Sequence, residues 1–181
     1  MVRQPECSRV VRNDVPNRIP SDASEILRFG TVLLNESDRG CVLAVSAYLE
    51  ESVRESLCAR CQELSEATDS DLGKVFKDFD SQFASFVSCI RLAFALGVID
   101  REMELSLREF AAMRNGFAHR SGPKRITEHQ VRKVVDAYGL SYVSGMFAGF
   151  SARQVLINWA VNVDMSFRRG IKRMKREARG S

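Results

Sequence analysis

The sequence predicts an all-α protein, a single helical bundle, and three observations carry that expectation. Apolar residues recur at steps of three and four through most of the chain. No run alternates apolar and polar residues convincingly over the length of a strand. Residues that cap helices stand where the periodic runs begin, and glycines stand where they end. At 181 residues, 45 % hydrophobic and 28 % charged, the chain suffices for one domain with a sizeable core, and the composition excludes a disordered protein.

The elements follow in order. Residues 1–20 hold Pro5, Pro16 and Pro20, three of the four prolines, and show no periodicity, so they are expected to form a flexible N-terminal arm. A helical bundle domain is expected over 21–167 and a basic helical tail over 168–181. Ser21 or Asp22 can cap a first helix ending near Asn35. From Asp38 to Ser65, Val42, Val45, Leu49, Val53, Leu57, Cys61 and Leu64 form an inward stripe, with Glu50, Glu51, Arg54 and Glu55 facing water. A polar stretch at 66–71 and an aromatic run with Phe76, Phe79, Phe83 and Phe86 come next. Phe83–Leu96 is apolar on most sides, which predicts a central helix closed by Gly97. Asp100 caps the next helix, in which Met103, Leu107, Phe110 and Phe117 point inward and Ser121-Gly122-Pro123 makes the stop. Thr127 caps a short helix closed by Gly139. Ser141–Phe150 gives no clear signal. Ser151 and Gln154 match a capping box for a last helix with Val155, Trp159, Val163, Phe167, Ile171 and Met174 on one face.

Some functions are excluded early. Arg3, Glu6, Arg9, Arg12, Asp14 and Arg18 interrupt any signal-peptide core, and nothing approaches the roughly 18 apolar residues of a membrane span. The five cysteines, Cys7, Cys41, Cys58, Cys61 and Cys89, are an odd number scattered over helical patterns, as expected of reduced thiols in a cytoplasmic protein. Cys58 and Cys61 have metal-ligand spacing, but no second pair follows at zinc-module distance. No metal, cofactor or membrane partner is expected.

Two segments carry candidate chemistry. Arg114-Asn115-Gly116-Phe117-Ala118-His119 closes a helical pattern and holds one of the two histidines. Asn115 and His119 share a face, with Arg114 about 100° to one side of Asn115. A guanidinium can hold two phosphate oxygens, and a neutral imidazole can take the proton of a ribose 2′-hydroxyl. Arg114, Asn115 and His119 are therefore catalytic candidates for phosphodiester cleavage without a metal. In-line attack also needs an acid at the leaving oxygen, which two copies of the motif in a homodimer would supply. The competing reading is structural: His119 complements the helix dipole, Arg114 pairs with Glu50 or Glu109, and Asn115 satisfies carbonyls. His129, the other histidine, lies in a short polar helix and is expected to be exposed. The second segment is the tail. Arg168, Arg169, Lys172, Arg173, Lys175, Arg176 and Arg179 stand against Glu177 alone, so the net charge of +4 conceals a basic tail on a mildly acidic body. The first six are the candidate nucleic-acid-binding residues, and such contacts weaken steeply with salt. No helix-turn-helix can be traced, so sequence-specific DNA reading is not indicated.

The run Leu92-Ala93-Phe94-Ala95-Leu96-Gly97-Val98-Ile99-Asp100, followed by Arg114-Asn115-Gly116-Phe117-Ala118-His119, resembles the MltR (mannitol operon repressor) family. Together with the helix through Ala47-Tyr48-Leu49-Glu50, the resemblance covers roughly residues 38 to 122. It implies a compact α-helical protein of transcriptional regulation without a helix-turn-helix. Arg114 and His119 also look like the Arg-x4-6-His signature of the HEPN superfamily, helical bundles that are often dimeric and include metal-independent RNases. The expectation drawn is an MltR-like, repressor-type regulator that binds a nucleic acid or a regulatory protein rather than catalysing a reaction. The alternative is a HEPN-type endoribonuclease using Arg114 and His119. A third is a scaffold or antitoxin-like protein with a dedicated partner.

Overall fold

A computed structural model describes residues 23–64, 85–119, 124–139 and 149–180. Among these residues there are six α-helices and no strand: α1 (Ala23–Asn35), α2 (Asp38–Leu64), α3 (Phe86–Ala95), α4 (Arg101–His119), α5 (Glu128–Ala137) and α6 (Ala152–Gly180). The all-α bundle expected from the periodicity is the observed architecture. The arm at 1–20, the cap at Ser21 or Asp22, Cys7, the aromatics Phe76, Phe79 and Phe83, the stop at 121–123 and most of 141–150 lie outside the described residues.

Local chemistry sets the boundaries. Asp100 Oδ1 accepts the Met103 N–H at 2.8 Å and opens α4. Thr127 with Gln130, and Ser151 with Gln154, form reciprocal capping boxes at the starts of α5 and α6. Gly97 and Gly139, at φ 67° and 73°, take the left-handed conformation that closes α3 and α5. At Gly139 space is limiting as well, since a Cβ there would lie 2.9 Å from a Glu102 carboxylate oxygen.

Contacts between named residues fix the direction of each helix. The two longest, α2 and α6, run parallel: Asp38 pairs with Arg153, Ser52 bonds Asp164, and Cys58 lines one groove with Ile171. Helix α4 runs the other way along α2, with Arg39 reaching Ala118 O and Arg114 facing Glu50. Helix α5 returns along α4, from Lys124 on Gly116 O to Ser106 on Val134 O. Helix α3 follows the direction of α2: its start shares a cavity with Glu50, and its last carbonyl, Leu96 O, accepts from Arg60 Nε at 3.1 Å.

Two buried polar groups cross-link this arrangement. Trp159, fully buried against Phe110, donates its indole N–H to Ser106 Oγ at 2.9 Å. Ser106 in turn donates to Val134 O, so one chain of bonds joins α6, α4 and α5. Asp164, 2 % exposed, accepts from Ser52 Oγ at 2.8 Å and from Arg168 Nε at 2.7 Å. Burial, and then a hydrogen bond to the same carboxylate, hold the Tyr48 phenol far above its ordinary pKa, so it stays a neutral donor.

The apolar stripes read from the spacing face the core over most of their length. Val42, Val45, Leu49, Val53 and Leu57 are fully buried, as are Leu107 and Phe110, with Phe117 nearly so. Cys61 is half-buried and Leu64 is 58 % exposed, because α3 ends level with Arg60 and the last turn of α2 projects beyond it. The helix expected over Phe83–Leu96 begins at Phe86, where Ser85 caps it, and it is not central. Only Phe86, Ile90 and Ala93 are buried; Phe94 stands out, with the Arg101 guanidinium over its ring at 5.6 Å.

Asp164→Ala leaves the Arg168 guanidinium and the Tyr48 phenol without their acceptor. A loss of about 2–4 kcal/mol is expected, read as a lower urea midpoint at unchanged slope. Asp164→Asn, which still accepts, is expected to lose less; equal stability of all three proteins would contradict the network.

Candidate functional site

Helix α4 ends at His119, and its last two turns carry Arg114, Asn115 and His119. Arg114 turns toward α2. Its Nη2 lies 3.6 Å from Glu50 Oε1, which also accepts from Ser46 Oγ at 2.9 Å, and its Nη1 donates to Asn115 Oδ1 at 3.3 Å. The structural pairing with Glu50 weighed from the sequence is therefore present in the geometry. The pair is partly exposed, and its contribution to stability is expected to be small. Arg114 Nε is buried with no hydrogen-bond partner among the described residues. It adjoins a cavity of about 170 Å³ lined by Glu50, Ser85, Phe86, Ala111, Arg114 and Asn115.

Asn115 and His119 are exposed on the helix surface, and His129 is exposed on α5. No hydrogen bond joins His119 to Arg114 or Asn115 among the described residues. The structure thus brings Arg114 and Asn115 together and leaves His119 one turn beyond, facing solvent. No group of three or more His, Cys, Asp or Glu among the described residues is placed to hold a metal ion. The four described cysteines are thiols, Cys41 buried and the other three half-buried. Burial pushes the Cys41 thiol up to about 11, which keeps it protonated and inert at neutral pH.

The basic tail is the last third of α6, continuous with the bundle. Met174 is buried and Ile171 half-buried, so the apolar face continues past residue 168. On the other side Arg169, Lys172, Arg173 and Arg176 are exposed at steps of three and four, forming one stripe. Arg168 stands apart. Its Nε is bonded to Asp164 and its Nη2 is buried, so the partly exposed guanidinium is committed to that carboxylate. Lys175 lies on the same helix.

Sequence reasoning missed the groups that hold the opposite end of the bundle. Arg153 donates to Leu34 O at 2.8 Å, to Glu36 O at 2.6 Å and to the Asp38 carboxylate. Asp38 Oδ2 also accepts the Ile126 N–H at 2.8 Å. Arg39 caps Ala118 O at 3.1 Å, and Lys124 bonds Gly116 O while lying over the Phe117 ring. These partners are 79 to 119 residues apart for Arg39 and Arg153, and no local spacing announces them.

Comparison with protein families, curated proteins and solved structures finds no match. No helix among the described residues is long and apolar enough to cross a membrane.

The Asp38 clasp has a pH signature. Partial burial pushes its carboxyl pKa up, but the Arg153 bond, the Ile126 N–H and the charges of Arg153 and Arg125 together outweigh this and hold it below its ordinary 3.8. A depressed carboxyl contributes stability above its unfolded pKa and loses it as pH falls through the folded value. Wild type is expected to exceed Asp38→Asn in urea stability at pH 7, with the gap narrowing below about pH 4. A gap independent of pH would contradict the clasp.

Proposed function

We propose that the protein is an MltR-like, repressor-type regulator that acts by binding a nucleic acid through the exposed stripe of α6. The observation that carries this reading is the row Arg169, Lys172, Arg173 and Arg176, displayed on a helix whose other face is anchored in the bundle. Anchoring matters because a fixed row of charges loses less conformational freedom on meeting a phosphate backbone than a loose tail would. Such a contact is electrostatic and indifferent to sequence, so any selectivity must come from a partner or a second surface. Arg168 is not among the contacts in this reading, since Asp164 already holds it.

A gel-shift titration with duplex DNA and with RNA at two salt concentrations tests the proposal. Replacing Arg169, Lys172, Arg173 and Arg176 by alanine is expected to weaken binding and to flatten the log–log salt dependence by about 0.9 per DNA contact removed. Unchanged affinity and slope would overturn it.

A second reading is a metal-independent endoribonuclease of HEPN type. It is favoured by Asn115 and His119 standing exposed together, one turn apart, beside a guanidinium whose Nε is unpaired. Arg114 and His119 are about 140° apart around α4, so a single chain does not turn both toward one phosphate. Two copies across a homodimer would be required. RNA cleavage in EDTA that is abolished in His119→Ala and Arg114→Ala is expected under this reading; intact RNA after prolonged incubation with a verified dimer would eliminate it.

A further inference from the structure

The helix directions derived above place the starts of α2, α5 and α6 at one end of the bundle, together with the last turn of α4. Asp38 at the start of α2 meets both Arg153, in the first turn of α6, and Ile126, just before α5. Arg39 on α2 reaches Ala118 at the end of α4. Three helix N-termini thus turn their partial positive charge toward this end. The ends of α1 and α4 oppose them, but some of their last-turn carbonyls accept from side-chain cations. Arg153 takes Leu34 O and Glu36 O, Arg39 takes Ala118 O, and Lys124 takes Gly116 O.

Side-chain charge adds to the same sign. Arg39 and Arg125 are exposed here and Lys124 is half-buried beside them, with the exposed His119 at their edge. Arg39 spends one N–H on Ala118 O, out of the five that a guanidinium offers. The local acids are largely committed elsewhere. Asp38 is held by Arg153 and the Ile126 N–H, and Glu128 pairs with Arg132 on α5 at 3.3 Å. Glu36 is the remaining exposed carboxylate, and it lies over Gly40 in the first turn of α2.

We propose that this end of the bundle, centred on Arg39, Lys124 and Arg125 with His119 at its edge, is a second contact surface for the phosphate backbone of a nucleic acid. The inference rests on the reading that the protein binds nucleic acid, but it does not need the α6 stripe to be the other contact. Arg39 and Lys124 are held in place by bonds that leave further donors, and Arg125 stands exposed beside them, which suits a row of phosphates. At 1.5 Å per residue, Arg169 and Arg176 lie roughly 24–35 Å along α6 from Arg153. The two basic surfaces are therefore well separated, and each can be removed without touching the other.

The test uses the full-length protein, a DNA duplex of about 20 base pairs and an RNA of similar length, with salt dependence as the readout. Arg125→Glu is the principal variant. Arg39→Gln is the second, and thermal melting reports whether losing the bond to Ala118 O unsettles α4. Each variant is expected to weaken DNA binding and lower the salt slope by about 0.9, with an unchanged slope of the remaining contacts. Loss in these variants with retention in the α6-stripe variant supports this surface and overturns the stripe. Wild-type affinity and slope in Arg125→Glu, with loss in the stripe variant, overturns this surface alone. Loss confined to Arg39→Gln together with a lowered melting temperature also overturns it. Absence of binding by the wild-type protein to both probes overturns both proposals.

Discussion

The parallel seam between α2 and α6 is the constraint on which the rest of the structure depends. Parallel neighbours cannot be joined by a short turn, so side-chain contacts must fix their register. Three do so along the seam: Arg153 on Asp38, Asp164 on Ser52, and the groove where Ile171 meets Cys58. The middle one is the costliest to disturb. A buried carboxylate is tolerable only while its donors are in place: Arg168 reaches it from the same helix, but Ser52 and Tyr48 come from α2 and meet it in one register only. A slip by one residue would leave Asp164 with Arg168 as its remaining donor.

That register has an electrostatic consequence. With α2, α5 and α6 starting at one end and α1 and α4 ending there, three helix N-termini meet two C-termini, which leaves a partial positive excess. The cations at that end do double work, since Arg153, Arg39 and Lys124 cap the carbonyls of α1 and α4 and leave the region positive. At the far end the last turns of α6 carry their own cations on a face turned away from Met174. Fold and charge are thus linked through helix polarity, and a mildly acidic body comes to display two basic surfaces.

Much of this was legible in the chain and some was not, for physical reasons. Caps and stripes are local, so Asp100, Thr127, Ser151, Gly97 and the buried faces of α2, α4 and α6 could be read from spacing alone. The Arg114 pairing with Glu50 was among the alternatives because both lie near the apolar edge of their helices. Asp164 was not legible. It follows Val163 on a helix that otherwise reads as amphipathic, and the donors that complete its shell, Ser52 and Tyr48, arrive from α2. The basic neighbours of Arg168 group it with the tail in the sequence, whereas in the structure it pairs with Asp164 one turn earlier. The Arg39–Ala118 and Arg153–Leu34 contacts depend on helix direction, which periodicity does not encode. Apolar composition likewise overstates α3, which buries one face only, through Phe86, Ile90 and Ala93.

A distance measurement between spin labels at positions 39 and 172, in a background cleared of reactive thiols, tests the central claim most directly. Both native residues are exposed, and they mark the two charged ends of the seam. Parallel packing of α2 and α6 predicts a narrow distribution centred at about 30 Å or more. A distribution centred below about 20 Å would mean that the helices run in opposite directions, and the separation of the two basic surfaces would fall with it.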